Sequence, residues 1–225
     1  MSIAELIGKI RRKGWRGVLR VLRERFIYQH WELLALERSL DLPLPRRMSA
    51  QRWAHARISS ENLPKLEKYF SRYLSAMREL LKKGLRGEMF VDENGNAIGI
   101  MWMTDRDYYD NQLYHCKVRL PPGCVYLFAV EIAKPYRGIG LPLLCMRLVC
   151  EEFPRNGVHA VRSLVDARNL PALSMNIRLG FVEVGEVTHA YRLFHWFHFA
   201  RTRAYPSPRF LHLRRKGGKR ITPDE

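Results

Sequence analysis

One stretch constrains the fold of this chain more than any other. Cys124–Ile132 is apolar throughout apart from Glu131, the pattern of a central strand covered on both faces. It leads into Lys134-Pro135-Tyr136, then Arg137-Gly138-Ile139-Gly140-Leu141-Pro142, then an apolar helix over Leu141–Phe153. Glycines between a strand end and a helix start let successive backbone N–H groups turn toward one point. The helix N-terminus adds partial positive charge there, and together they make a phosphate cradle. Pro142 suits the first helical turn, where its missing N–H has no partner to lose. Glycine-containing turns of this kind are common, so the loop alone is a weak signal.

Regular elements surround it. Arg52–Ile58 has strand character, with Ser59, Ser60 and Asn62 as caps for a helix after it. Leu63, Leu66, Phe70, Tyr73, Leu74, Met77, Leu80 and Leu81 recur at three- and four-residue steps and stop at Lys82-Lys83-Gly84. That spacing predicts an amphipathic helix ended by glycine. Glu88–Asp92 and Ala97–Met103 flank Asn94-Gly95, a hairpin signal. Asp105–Asn111 reads as a polar, tyrosine-bearing loop. Further on, Val158–Val165 and Phe181–Val187 read as strands, Pro171–Leu179 as a helix, and the aromatic-rich Tyr191–Phe199 as a last strand. Helices interleaved with strands on both sides of a hairpin predict an α/β or α+β sheet domain. At 225 residues the chain has the size of one such domain with a terminal appendage.

A second motif lies downstream of the glycine loop. A strand ending in Asp166-Ala167-Arg168 is followed by Asn169-Leu170-Pro171-Ala172, and then by Arg178-Leu179-Gly180-Phe181. With both motifs in register, the sequence resembles the GNAT acetyltransferase superfamily. That family pairs R/Q-x-x-G-x-G/A, after its fourth strand, with a downstream N-x-x-A…L-G-F. The resemblance implies a mixed, mostly antiparallel central sheet flanked by helices. It also implies an N-acyltransferase with acetyl-CoA or another acyl-CoA as donor. The pyrophosphate would then lie on the backbone amides running from Arg137 through Gly138, Ile139, Gly140 and Leu141 to Pro142. The pantetheine arm would lie like an added strand along Val130 to Ile132, touching Asn169 and Ala172. An amine would attack directly in a ternary complex, deprotonated by a base or through water. A backbone N–H of the strand would polarise the thioester carbonyl. Two residues depart from the family pattern. Pro142, which has no N–H, replaces the last Gly/Ala of the first motif. Asn176 stands where a tyrosine often protonates the departing thiolate, which an amide cannot do.

The identity of the base stays open at this level. Glu131 interrupts an apolar strand beside the implied thioester position, where burial raises a carboxylate's basicity. Its alternative role is to pair with a neighbouring arginine. Strict alternation puts Glu131 with Val125 on one face and Tyr126 with Val130 on the other, unless a bulge intervenes. Tyr126 is the second candidate, against the alternative of a core tyrosine with a satisfied hydroxyl. Asp105, Asp107, Tyr108, Tyr109 and Asp110 either receive a cationic amine or form a solvated loop. His115 is a base one strand away or an ordinary sheet histidine. His195 and His198 fall on opposite faces of a strand, so no metal site is expected.

Charge speaks to location more than to reaction. The chain carries 39 Lys+Arg against 22 Asp+Glu, a net +17. Residues 1–25 and residues 201–225 each hold eight basic and two acidic side chains, leaving a nearly balanced body. Ile3, Leu6, Ile7, Ile10, Trp15, Val18, Leu19, Leu22 and Phe26 share one arc of a helical wheel, and Lys9, Arg12, Lys13, Arg16, Arg20 and Arg23 the other. Such a helix over residues 1–27 packs on the domain, lies on an anionic membrane surface, where the basic run within 201–220 would join it, or binds nucleic acid or a protein partner. The expected division is a basic amphipathic extension and linker over 1–48, a GNAT-like acyltransferase domain over 49–200, and a basic tail over 201–225. The acceptor is expected to be a small-molecule or glycan amine, such as an amino sugar. An acidic acyl carrier protein is the alternative donor, bringing a longer acyl chain. A non-catalytic or nucleic-acid-binding protein is the third reading. It is disfavoured because no helix-turn-helix, zinc finger or RNP motif is present. Cys116, Cys124, Cys145 and Cys150 form no CxxC pair and read as reduced thiols of a cytosolic protein. With neither a signal-peptide pattern nor a long apolar span, the expected location is cytoplasmic, peripheral on the inner face of the membrane.

Overall fold

The computed structural model describes residues 27–45, 53–153, 157–194, 196–206, 208–210 and 213. The proposed amphipathic helix up to residue 26, the Arg46-Arg47 pair, His195 and the basic run 214–220 lie outside the described residues. The elements are β1 (Tyr28–Ser39), β2 (Ala54–Arg57), α1 (Glu67–Phe70), α2 (Leu74–Lys82), β3 (Arg86–Val91), β4 (Ala97–Thr104), β5 (Tyr108–Asp110) and β6 (Cys116–Val118). They continue as β7 (Cys124–Ile132), α3 (Leu141–Glu152), β8 (Ala160–Asp166), α4 (Leu170–Arg178), β9 (Val182–Leu193) and β10 (Phe197–Ala204).

Among the described residues, eight strands form one sheet in the order β10-β9-β1-β8-β7-β4-β3-β2, and β5 pairs with β6 separately. Every pairing in the large sheet is antiparallel except β7 with β8. This is the mixed, mostly antiparallel sheet with flanking helices that the motifs imply. Asn94-Gly95 closes the β3–β4 hairpin as its sequence predicts, with Gly95 N donating to Asp92 O at 2.9 Å. All eight residues of β4 are buried, because the sheet is covered on both faces. On one face Leu34, Leu36, Val125, Leu127, Leu141, Met146 and Leu173 pack beneath α3 and α4. On the other, Leu66, Phe70, Met77, Ile100, Trp102 and Tyr126 pack beneath α1 and α2. Each such aliphatic or aromatic side chain removed from water contributes about 1.5–3 kcal/mol.

Four local expectations are corrected. The segment Trp31–Leu40, assigned to the extension, falls in or beside β1, which lies inside the sheet between β8 and β9. Leu33, Leu34 and Leu36 are fully buried there, so the sheet begins before residue 49. The amphipathic helix over 63–81 is interrupted by 3₁₀ turns at Leu63–Leu66 and Ser71–Tyr73. Three-residue apolar steps suit a 3₁₀ turn as well as an α-helix, and the intended side chains are buried either way. The loop at 105–111 contains β5. Finally, Tyr191–Phe199 is not one strand but the turn of a β9–β10 hairpin, and β10 runs past residue 200 to Ala204.

Candidate functional site

The site begins where two parallel strands part. β7 and β8 pair only through Cys124 with Ala160, Val125 with Val161 and Tyr126 with Arg162. Beyond Tyr126 the strands diverge, and a cavity of about 550 Å³ opens between them. Its walls include Phe128 to Glu131 from β7, Ser163 to Asp166 from β8, and Pro142, Cys145, Asn169, Ala172 and Asn176 from the two helices. Tyr108, Asp110 and Tyr114 close it on the side of α2.

A β-bulge shapes the β7 wall. Trp102 pairs with Phe128 and Ile100 with Glu131, so Ala129 and Val130 together face Met101. Ala129 has φ 48°, a left-handed backbone that marks the extra residue. Directly opposed residues share a sheet face, so the bulge moves Glu131 onto the face of Tyr126 and Phe128. Val130 joins Val125 and Leu127 in the core beneath α3. The alternation expected from sequence is therefore reversed after residue 129.

At the end of β7, Ala133 N donates to Ile98 O at 2.8 Å and a turn over Lys134–Tyr136 carries the chain into the glycine loop. Gly138 and Gly140 both have φ 89°, a conformation that glycine adopts without steric cost. Gly140 is the N-cap of α3, and Leu143 N donates to its carbonyl at 3.0 Å. Apart from its chain neighbours, a Cβ added at either glycine would meet no atom of the described residues within 4 Å. The loop is thus open on the side where a phosphate would approach the helix N-terminus. Arg137 N is taken by Lys134 O at 3.4 Å, and Pro142 has no N–H to offer. Leu141 is buried beneath the helix, while Ile139 is exposed.

Glu131 is about a third exposed at 31% of its side chain. Arg137 Nη2 approaches its Oε1 at 3.3 Å and Arg72 Nη2 approaches the same oxygen at 3.6 Å. Glu131 is thus paired with arginines and also lines the cavity, so the two roles coexist in the structure. Arg137 also donates from Nε to Ile132 O at 3.3 Å, which ties the loop to the strand end. Tyr126 is buried, with its ring stacked on Phe128 at 5.2 Å. Burial above all, with the Asp110 carboxylate adding to it, pushes the Tyr126 hydroxyl well above its ordinary value. It remains a phenol and is poorly suited to act as a base.

On the second motif, Asn169 caps α4, its Oδ1 accepting from Ala172 N at 3.2 Å. Asn176 is buried and donates from Nδ2 to Ala172 O at 2.9 Å. Its amide serves the helix rather than proton transfer.

The loop residues divide. Tyr108 and Asp110 reach the cavity. Asp110 is occupied by the turn, accepting from Gln112 N, Leu113 N and Tyr114 N at 2.9, 3.0 and 3.3 Å. The Tyr108 hydroxyl is buried with no hydrogen-bond partner among the described residues, and burial raises its proton affinity. Asp107 is paired with Lys117 at 3.2 Å, and Tyr109 and Asp105 are exposed. His115 stacks on His198 at 3.7 Å and is not part of the cavity wall. Two wall residues, Tyr114 and Arg72, are not evident from sequence. Nothing in the local pattern marks them, because the β5–β6 hairpin and the turn before α2 bring them in. Burial, reinforced by Asp166 and Asp110, pushes the Tyr114 hydroxyl up to about 12. Among the described residues, no group of three or more His, Cys, Asp and Glu could hold a metal ion. No helix among them is long and apolar enough to cross a membrane.

Comparison with known proteins agrees with this geometry. Residues 52–181 match the model of the acetyltransferase (GNAT) family. No curated protein matches the chain. A functionally unknown conserved protein from Staphylococcus epidermidis superposes with a TM-score of 0.53 at 13% identity, over 82% of this chain and 66% of that one. A Drosophila protein gives 0.53 at 13% identity, over 83% and 58%. The GCN5-related glucosamine N-acetyltransferase region of a fungal multi-domain β-N-acetylglucosaminidase gives 0.50 at 15% identity, over 83% and 22%. The chain thus spans just under two thirds of the first of these structures and less of the other two. The family match covers more than half of the chain and contains the glycine loop, the bulged strand and the helix capped by Asn169: the chain belongs to the GNAT acetyltransferase family.

Proposed function

We propose that the chain is an acyl-CoA-dependent N-acyltransferase acting on an amine in a ternary complex. The observation that carries this is the splay of β7 from β8 after three residue pairs, beside a glycine loop that opens onto the N-terminus of α3. In this reading the amides from Gly138 to Leu141 hold the pyrophosphate of the donor. The strand segment Val130–Ile132 holds the pantetheine arm, which leans on Ala172 and meets Asn169 through its side-chain Nδ2. The donor, when bound, would supply a thioester carbonyl open to attack. As the C–N bond forms the C–S bond breaks, and the CoA thiolate would leave without a protein acid at Asn176 and take its proton from solvent. A backbone N–H at the bulge polarises that carbonyl. Both guanidiniums that face Glu131 address Oε1, and Oε2 is the oxygen we assign to receive the amine's proton, directly or through water. The aromatic and acidic wall formed by Tyr108, Asp110 and Tyr114 receives the acceptor, in our reading a small-molecule or glycan amine.

Calorimetric titration of acetyl-CoA into the wild-type chain and into Gly138→Leu and Gly140→Leu tests the reading. Beyond its chain neighbours, neither new Cβ meets an atom of the described residues, so the fold bears backbone strain of about 1–2 kcal/mol. Wild-type binding, weakened about tenfold or more in each variant, is expected. Absence of wild-type binding, or binding by both variants as tight as wild type, overturns it. The 550 Å³ cavity would hold the pantetheine arm and the acceptor together, so the length of the acyl chain is a matter for the donor assay. Turnover with acetyl-CoA compared with long-chain acyl carrier protein separates the two donors.

A further inference from the structure

We propose that the β9–β10 turn is an insertion element that seats the protein on an anionic lipid bilayer. Phe194, Trp196 and Phe197 are 54%, 74% and 65% exposed, three large aromatic side chains within four residues at a hairpin tip. Single apolar residues are scattered over any protein surface, but a contiguous group of this kind marks a contact site. Ile27 and Tyr28 extend the group, at 46% and 40% exposed. They belong to it in space: Phe194 N donates to Ile27 O at 3.0 Å, and Leu193 is flanked by Tyr28 on one side and Phe197 on the other.

The backbone of the turn is independent evidence. Phe194 has φ 47°, a left-handed conformation that a bulky L side chain rarely adopts and that glycine or asparagine would adopt more easily. A strained turn that keeps an aromatic residue outward, where a polar one would cost less, indicates that the ring has a use.

Charge chooses the occupant. Exposed Arg201 and Arg203 follow on β10. Ile27 is also the point at which residues 1–26 join the fold, and that sequence carries eight Lys and Arg beside Trp15 and its aliphatic residues. Aromatic rings flanked by basic side chains fit the headgroup layer of an anionic bilayer, where the rings enter the acyl boundary and the cations meet phosphate. β1 begins, β9 ends and β10 begins at the same end of the sheet to which the antiparallel pairings assign the C-terminal ends of β7 and β8. Seating the tip in lipid therefore turns the mouth of the splay toward the bilayer.

The test is cosedimentation of the full chain with vesicles of phosphatidylcholine alone or mixed with phosphatidylglycerol, for wild type and Trp196→Ser/Phe197→Ser. Wild type should pellet with the mixed vesicles, and the double variant should partition about tenfold more weakly with an unchanged melting temperature. Acyl-brominated phosphatidylglycerol mixtures provide a second readout: quenching of tryptophan fluorescence seen for wild type should fall in Trp196→Phe, which retains an aromatic ring. The proposal is overturned if wild type stays in the supernatant, or if the double variant pellets like wild type. It is equally overturned if quenching is unaltered in Trp196→Phe, or if the substitutions abolish a dimer while vesicle binding persists.

Discussion

Arg137, the first residue of the glycine loop, forms an ion pair with Glu131 of the bulged strand, Nη2 to Oε1 at 3.3 Å. The loop that would hold the donor and the carboxylate that would receive the acceptor's proton are therefore mechanically linked. Both side chains are partly exposed, 62% and 31%, so the pair contributes little to stability, about 0–1 kcal/mol.

That contrast separates the two roles of Glu131. Glu131→Gln should lower kcat/KM by about a hundredfold or more with a melting temperature close to wild type, and the loss should be smaller at high pH, where more of the amine is already free. Arg137→Ala should chiefly raise the KM for the donor. If Glu131→Gln retains wild-type turnover, the residue is only a partner of Arg137 and Arg72.

Tyr108 offers an unusual separation of stability from function. Its hydroxyl is buried without a partner among the described residues, so removing it relieves a desolvated group rather than breaking a bond. Tyr108→Phe should leave stability unchanged or raise it by up to about 1 kcal/mol. Because the hydroxyl belongs to a cavity wall, the same change should raise the acceptor's KM with little effect on the donor's. Thermal melting and steady-state kinetics on the two substrates check both halves.

Arg38 of β1 is 1% exposed. It donates from Nε to Leu179 O at 2.7 Å, from one Nη to Ser39 O at 2.8 Å and from the other to Leu42 O at 2.6 Å. Gly180 has φ 94°, a left-handed backbone that favours glycine, and a Cβ there would also stand 3.3 Å from Arg38 Nε; together these account for glycine in the L-G-F motif here. Arg38→Met fills similar volume but leaves those carbonyls without their charged donor. Chemical denaturation should show a loss of about 3 kcal/mol, with the denaturant slope unchanged.

The parts of the site readable in the sequence are those set by local rules. A continuous apolar run, two glycines before a helix and an asparagine cap specify their conformations within a few residues, and β7, the loop and α4 result. Long-range effects are not readable. Trp31–Leu40 is rich in Glu, Leu, Ala and Arg, good helix formers, and becomes a strand only because β8 and β9 flank it on both sides. The bulge at Ala129 carries no glycine or proline to announce it, yet it decides which face Glu131 occupies. The turn at Phe194 likewise lacks the usual turn residues. Asp105–Asn111 reads as a solvated loop because three-residue strands are too short to show alternation, while the Asp110 carboxylate organises the turn after β5.

The place of β1 has a consequence for how the chain reaches its native state. His30 and His189, whose rings are hydrogen-bonded across β1 and β9 at 3.0 Å, are 159 residues apart, and the other partner of β1 is β8. A strand made early must therefore wait for both neighbours, holding its Leu33–Leu36 run without a sheet meanwhile. Such non-local pairing slows folding and prolongs the exposure of unpaired edges. A fragment cut at the family boundary near residue 52 would keep the glycine loop but lose the strand that joins β8 to β9. It should refold into a species prone to self-association.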